Sequence, residues 1–269
     1  MPISFFKNHA IKTGEWIEQV CYTSSGTTGQ LTSKHMLPDA AFYLKNAERC
    51  FSHFFGAIED YHFLAYLPSY LERTGSSLIA MMDYFIKKSM SAYSGFYLYN
   101  ETKLLDDLEA LRSSPKKTIL WGVSFALLAL AEKHTLDLSH CLIFETGGMK
   151  GRRKEITRQE LHEKLARRFN VPVIYSEYGM TELFSQAYSS GSTFKCSPTM
   201  KVLARDITDP FLVGLYGETG ALNVIDLANI HSIAFIETED IGKVYQNGAF
   251  EVLGRVDNSD ARGCNLLLE

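Results

Sequence analysis

Between residues 62 and 179, short apolar runs alternate with longer stretches of helical periodicity, and that alternation leaves few folds open. The runs HFLAYL (62–67), FYLY (96–99), TILWG (118–122), CLIFETGG (141–148) and VPVIYSEYG (171–179) read as strands. Between them, SSLIAMMDYFIKKSM (76–90), ETKLLDDLEALRS (101–113), SFALLALAEKH (124–134) and TRQELHEKLARRF (157–169) repeat apolar residues at helical spacing. Ser124 is the expected cap of the third of these, and Thr157 with Glu160 forms a capping box at the start of the fourth. A further helix is expected over 39–58, with Asp39 after Pro38 at its start. Strands separated by helices of this length imply right-handed crossovers and an α/β fold, a mainly parallel sheet flanked by helices. Ligands of such sheets sit beyond the carboxyl ends of the strands. Here those ends fall at Pro68, Glu145–Lys150 and Ser176–Glu182.

After about residue 195 the pattern changes. KVLARDI, TGALNVIDL, SIAFIETEDIGKVY and AFEVLGRV are strand-like, with Gly, Asp and Asn between them, and read as a small β-rich subdomain. The chain is thus expected to divide into an N-terminal arm (1–21), an α/β nucleotide-binding core (22–194) and a β-rich subdomain (195–269). A length of 269 residues with 46% hydrophobic and 22% charged side chains suits a globular protein with a sizeable core. The net charge of −4 argues against nucleic acid as a partner. The basic run KGRRK (150–154) reads as a solvated loop or as a patch facing an anion. The five scattered cysteines include no CxxC pair, which predicts reduced thiols and a cytoplasmic setting. No apolar run reaches the length of a membrane span, so none is expected.

Four stretches carry chemistry. YTSSGTTGQLTSK (22–34) gathers the hydroxyls of Thr23, Ser24, Ser25, Thr27 and Thr28 with Gly26, Gly29 and Lys34. Such a loop can turn several N–H and O–H donors toward one anion, although a flexible linker has the same composition. YGMTE (178–182) places Tyr178, Gly179, Thr181 and Glu182 after a strand. Its carboxylate can hold a divalent metal against phosphates and its aromatic can stack on a base; a plain turn with Glu182 as a first-turn acid is the other reading. TEDIG (238–242) offers Asp240 either to sugar hydroxyls or to a hairpin turn. GRVDNSDARGCN (254–265) sets Arg255, Asp257 and Arg262 around Cys264, and on composition is a polar loop.

The order and spacing of these stretches resemble the adenylate-forming superfamily of acyl-CoA synthetases, phenylacetate-CoA ligase and acyl-protein synthetases. The resemblance covers residues 22–265. It identifies YTSSGTTGQLTSK with the phosphate loop, YGMTE with the Y-G-x-T-E motif, IETEDIG with the ribose-binding region, and GRVDN with the hinge. ETGGMKGRRKE (145–155) and the final GRVDNSDARGCNLL are similar to the LuxE-like acyl-protein synthetase branch. The resemblance implies the N-terminal-domain-like fold of that superfamily, truncated at both ends. ATP and Mg²⁺ would be used to activate a carboxylic acid, expected to be fatty, as an acyl-adenylate, with transfer to the Cys264 thiol and on to an acceptor protein. Lys34 and Glu182 would act on the phosphates, Glu182 as the metal ligand. Thr23, Ser24, Ser25, Gly26, Thr27, Thr28, Gly29, Tyr178, Gly179, Thr181, Asp240 and Arg255 would bind the nucleotide. Phe54, Phe55, Tyr66 and Tyr70 are candidates for an acyl pocket. A CoA ligase and a non-catalytic nucleotide- or acyl-binding subunit are the alternatives, and a partner chain or homo-oligomer would complete a shortened site.

Overall fold

The computed structural model describes residues 1–25, 31–68, 74–147 and 156–255. Gly26, Thr27, Thr28 and Gly29 of the hydroxyl loop, Tyr70, the KGRRK run, Arg262 and Cys264 lie outside the described residues.

A short helix, α1 (Phe5–Asn8), precedes a two-stranded antiparallel ribbon of β1 (Val20–Thr23) and β2 (Lys34–Leu37), which brackets the hydroxyl loop. The alternating region follows the expected order: α2 (Ala40–Phe55), β3 (Tyr61–Tyr66), α3 (Ser77–Lys88), β4 (Gly95–Phe96), α4 (Glu101–Ala110), β5 (Lys117–Val123), α5 (Ser124–Lys133), β6 (Cys141–Thr146), α6 (Arg158–Phe169) and β7 (Ile174–Tyr178), although of the expected FYLY strand (96–99) only Phe96 pairs and the rest leads through a turn into α4. Local chemistry sets the helix starts. Asp39 accepts from the Ala41 and Phe42 amides, Ser76 from Ile79, and the Thr157–Glu160 capping box is closed in both directions. Ser124 departs from its expected role: it is the first helical residue, and its hydroxyl donates to Glu145 instead of capping the helix.

β4, β3, β5, β6 and β7 run parallel in that spatial order. From β7 the sheet continues antiparallel through β8 (Ala187–Ser190), β9 (Phe194–Cys196), β14 (Phe250–Arg255), β13 (Phe235–Val244), β12 (Thr219–Asp226), β10 (Met200–Arg205) and β11 (Val213–Leu215). The β-rich half therefore extends the same sheet. Its junction is narrow, since β9 and β14 share one register pair, Phe194 with Phe250.

Packing nevertheless divides in two. One cluster fills the parallel half, with Phe51, Phe63, Phe85, Trp121 and Phe144 at its centre. A second joins Tyr178, Leu183, Phe194, Val224, Ile236 and Phe250. Phe6 of α1 enters this second cluster, and the Ile3 amide donates to the Glu237 carbonyl, so the N-terminal segment docks on β13. Among the described residues no helix is long and apolar enough to cross a membrane.

Candidate active site

Successive residues of a strand point to opposite faces, and the parallel register of β6 and β7 uses this to build two different walls at their carboxyl ends. Glu145 pairs with Ser176, and Thr146 with Glu177. Glu145 and Ser176 face α5 and α6. Ser124 and Ser176 donate to the Glu145 carboxylate at 2.6 and 2.5 Å, and His162 and Arg158 approach it at 3.4 and 3.6 Å. Burial alone would push Glu145 up; the His162 hydrogen bond and the Arg158 charge outweigh it and hold the group below its ordinary value. Arg158 itself lies over the Phe194 ring at 4.1 Å and donates to the Gly191 and Ser192 carbonyls.

Thr146 and Glu177 face α2. The Thr146 hydroxyl donates to the Glu177 carboxyl. Burial and the nearby Glu145 charge push Glu177 up to about 7, against the Thr146 bond. Both strands then turn at a glycine. Gly147 has φ of 73°, a conformation that costs a side chain dearly. At Gly179 a Cβ would lie 2.3 Å from Glu177 Oε1, so a larger residue there would have to displace the Glu177 carboxyl.

A cleft of about 270 Å³ opens over these glycines. It brings together Ser24 and Ser25 from the hydroxyl loop, Tyr178, Gly179, Thr181 and Glu182 from the YGMTE turn, Asp240 from β13 and Arg255 from β14. Asp240 is buried; it accepts from the Tyr178 hydroxyl at 2.7 Å and stands 3.3 Å from Arg255, its register partner. Burial and the Asp240 charge push the Tyr178 phenol well up, which keeps it a donor. TEDIG is not a hairpin turn: it lies inside β13, with Thr238, Asp240 and Gly242 on the buried side.

Two expected residues are placed elsewhere. Thr23 and Lys34 pair across the ribbon and do not line the cleft; Lys34 is exposed between buried Ser33 and His35. Phe54, Phe55 and Tyr66 do not line it either. Phe54 and Phe55 pack with Tyr188 under the sheet, and Tyr66 donates to Glu101.

Sequence reading missed Lys7, Ser33, Arg158, Glu177 and Gln186, all of which line the cleft. Only Glu177 had a signal, its position one residue before YGMTE at a strand end. His35 is a further support behind the cleft. Its Nδ1–H donates to the Thr181 carbonyl at 2.7 Å, while Asn229 donates to the Glu182 carbonyl, so the YGMTE turn is tied to β2 and to the segment after β12.

No family model and no curated protein sequence matches the chain. Solved structures do share its fold. ATP-bound MatB from Rhodopseudomonas palustris is similar with a TM-score of 0.66 and 18% identity, over 87% of this chain and 47% of that one. The O-succinylbenzoate coenzyme A synthetase MenE from Bacillus subtilis, in complex with ATP and magnesium ion, gives 0.61 and 17% over 90% and 52%. A luciferase-like enzyme from the mealworm Zophobas morio gives 0.60 and 18% over 92% and 60%. The chain spans about half the length of the first two.

Proposed function

We propose that the chain uses ATP to activate a carboxylic acid as an acyl-adenylate, releasing pyrophosphate. One observation carries this reading: the Tyr178–Asp240–Arg255 group and the Ser24–Ser25 hydroxyls open into a single cleft around Glu182. The donor set suits the nucleotide. Asp240 has acceptor positions beyond those used by Tyr178 and Arg255, which can receive two ribose hydroxyls. Ser24 and Ser25 offer donors to phosphate, and Lys7 adds a positive charge to the same lining. Gly26, Thr27, Thr28 and Gly29 continue the loop as further proposed phosphate contacts. Lys34 would need to turn inward from the ribbon to join them.

Among the described residues no group of three or more His, Cys, Asp or Glu could hold a metal by itself. Glu182, which lines the cleft, would be the residue to hold a Mg²⁺, and the ion when bound would supply charge neutralisation for the departing pyrophosphate. Catalysis is then mostly placement and charge stabilisation. A carboxylate oxygen of the acid bonds to the α-phosphorus as the bond to the bridging oxygen breaks. A thiolate next attacks the acyl carbon and AMP leaves. We propose Cys264 as that thiol. Burial raises the thiols of Cys21, Cys50, Cys141 and Cys196, which disfavours the thiolate at all four. Coenzyme A is the second reading for the acceptor, supported by the similar fold of a coenzyme A synthetase and of a malonyl-CoA ligase.

Acid-dependent ATP–pyrophosphate exchange tests the activation. Asp240→Asn and Glu182→Gln are each expected to lower it at least about a hundredfold, the scale of a lost electrostatic contact. Exchange absent with every acid, while ATP still binds, would leave the chain a non-catalytic binder. Labelled acyl-protein is expected with the native chain and not with Cys264→Ser; label retained in that variant excludes the internal acceptor.

A further inference from the structure

We propose that copies of this chain join head to tail, the exposed β10–β11 hairpin of one copy seating in a groove between β9 and β14 of another. The groove comes from the narrow junction of the sheet. β9 and β14 pair at Phe194 and Phe250 only. Continuing that register would set Lys195 against Ala249 and Cys196 against Gly248. Instead the backbone before Phe250 turns on itself: the Tyr245 amide donates to the Ala249 carbonyl, and the Gly248 amide to the Tyr245 carbonyl. The strands part, and these four residues line an open groove of about 610 Å³. The rest of its lining is apolar at Phe54, Met200, Ile225 and Leu227 and cationic at Lys201. Among the described residues no carboxylate lines the groove, and neither Lys195 nor Lys201 has an ion-pair partner. Its chemistry suits an apolar segment that carries acids.

The chain carries such a segment. β11 is an edge of the large sheet, and the hairpin that brings it there reads DITDPFLVGLY (206–216). Phe211 is 94% exposed, and Ile207, Leu212, Val213 and Tyr216 are exposed near it in the chain. Single exposed apolar residues need no explanation, but a run of them on a sheet edge marks a contact surface. The hairpin is built, since the Asp206 amide donates to the Leu212 carbonyl and the Asp206 carboxylate accepts from Thr208 and Asp209. The Thr208 hydroxyl bond holds Asp206 below its ordinary value, so it stays charged. Asp206 and Asp209 thus offer to Lys195 and Lys201 the carboxylates that the groove lacks. The contact must run between copies. β10 starts at the groove, with Met200 and Lys201, and its 6 residues carry the chain roughly 20 Å before Asp206. β11 returns along β10 only as far as Ala204. The hairpin is held at one end of β10 and the groove lies at the other. Because hairpin and groove are different surfaces, the contact is heterologous.

Sedimentation velocity of the full chain, from micromolar to millimolar concentration, tests this. A mass above the monomer is expected, and it should fall as salt screens the Lys195 and Lys201 contacts. Two variants separate the surfaces: Phe211→Ser damages the hairpin, and Lys195→Glu combined with Lys201→Glu damages the groove. All three positions are exposed, so thermal unfolding is expected to match the native chain. Each variant alone is expected to associate about tenfold or more weakly. Mixed, the two are expected to associate with each other, because the first keeps an intact groove and the second an intact hairpin. A native chain that stays monomeric throughout overturns the proposal. Association unchanged in the lysine variant overturns it too, since hairpin would then meet hairpin, and so does association unchanged in Phe211→Ser. Variants that stay apart on mixing also overturn it, because a hairpin-to-groove contact requires them to complement.

Discussion

His35 shows how one buried side chain sets the site. It is 1% exposed, and burial pushes it down to about 4, against the hydrogen bonds from the site that favour its charged form. The ring is therefore neutral in the folded protein, with the proton on Nδ1, where Thr181 requires a donor. The unfolded chain binds a proton at about 6.5 and the folded one only near 4, so the contribution of His35 is complete above pH 6.5 and is lost as pH falls toward 4. At pH 4 the loss amounts to roughly 3 kcal/mol. Glu177 acts in the opposite sense, since its raised value favours folding at low pH and that benefit fades as pH rises toward 7. The comparison must therefore be made between the native chain and His35→Gln. Denaturant unfolding from pH 7 to pH 4 is expected to show the native chain losing about 3 kcal/mol more than the variant over this window. Equal slopes would mean that His35 does not stay neutral. Residues of this kind are hard to read from sequence. YGMTE, Asp240 and Arg255 stood out because each sits at a recognisable strand end or turn. Glu177, Gln186 and His35 become site residues only through pairings across strands and between distant segments, Thr146 with Glu177 and His35 with Thr181, which no local pattern encodes. Lys34 is the converse: adjacency to the loop suggested it, and the two-residue period of β2 turns it outward.

The parallel half was legible at the level of elements because helix and strand periods differ and the caps are local. The antiparallel half was legible only as strand-like material. Its connections depend on close backbone approach, and Gly242 is the clearest case. A Cβ there would lie 2.0 Å from the Glu251 carbonyl of β14 and 2.9 Å from Leu222 of β12, beside the bulge between Ile241 and Gly242. This glycine lets β13 be flanked tightly on both sides while Asp240, two residues earlier, stays aimed at Tyr178. Gly242→Ala is expected to cost about 3 kcal/mol or more, since the Glu251 carbonyl is backbone and cannot withdraw without breaking the ladder. Gly95→Ala, on the edge strand β4, meets only Tyr97 at an ordinary 3.7 Å and is expected to change stability by less than about 1 kcal/mol. Thermal unfolding of the two variants checks the contrast. A small effect at Gly242 would show that β13 and β14 can separate, and with them Asp240 and Arg255.

Across the whole molecule, the cleft lies where two hydrophobic clusters meet along one sheet. The side proposed above for the nucleotide belongs to the second cluster: Tyr178 packs against Phe194 and Phe250, with ring centroids at 5.7 and 5.3 Å, and Phe194 and Phe250 stack on each other where the two halves join. The sheet is held together at that junction more by these rings than by its ladder, which has one register pair there. Stability and ligand binding should therefore separate according to which cluster is damaged. Phe250→Ala and Phe63→Ala each empty a fully buried site, and each is expected to cost about 3–5 kcal/mol. Phe63 lies among Phe51, Tyr61 and Phe85, remote from the cleft lining. Its loss should leave ATP affinity, measured by titration calorimetry well below the unfolding temperature, within about twofold of the native chain. Loss of Phe250 removes the backing of Tyr178 and loosens its hold on Asp240, so affinity should fall by about tenfold or more, the cost of one displaced hydrogen-bonding group. Equal affinity losses in the two variants would mean that the sheet transmits damage uniformly. A loss confined to Phe250→Ala would place the support of the proposed nucleotide in the antiparallel half, with Tyr178 of the YGMTE turn as its contact with the second cluster.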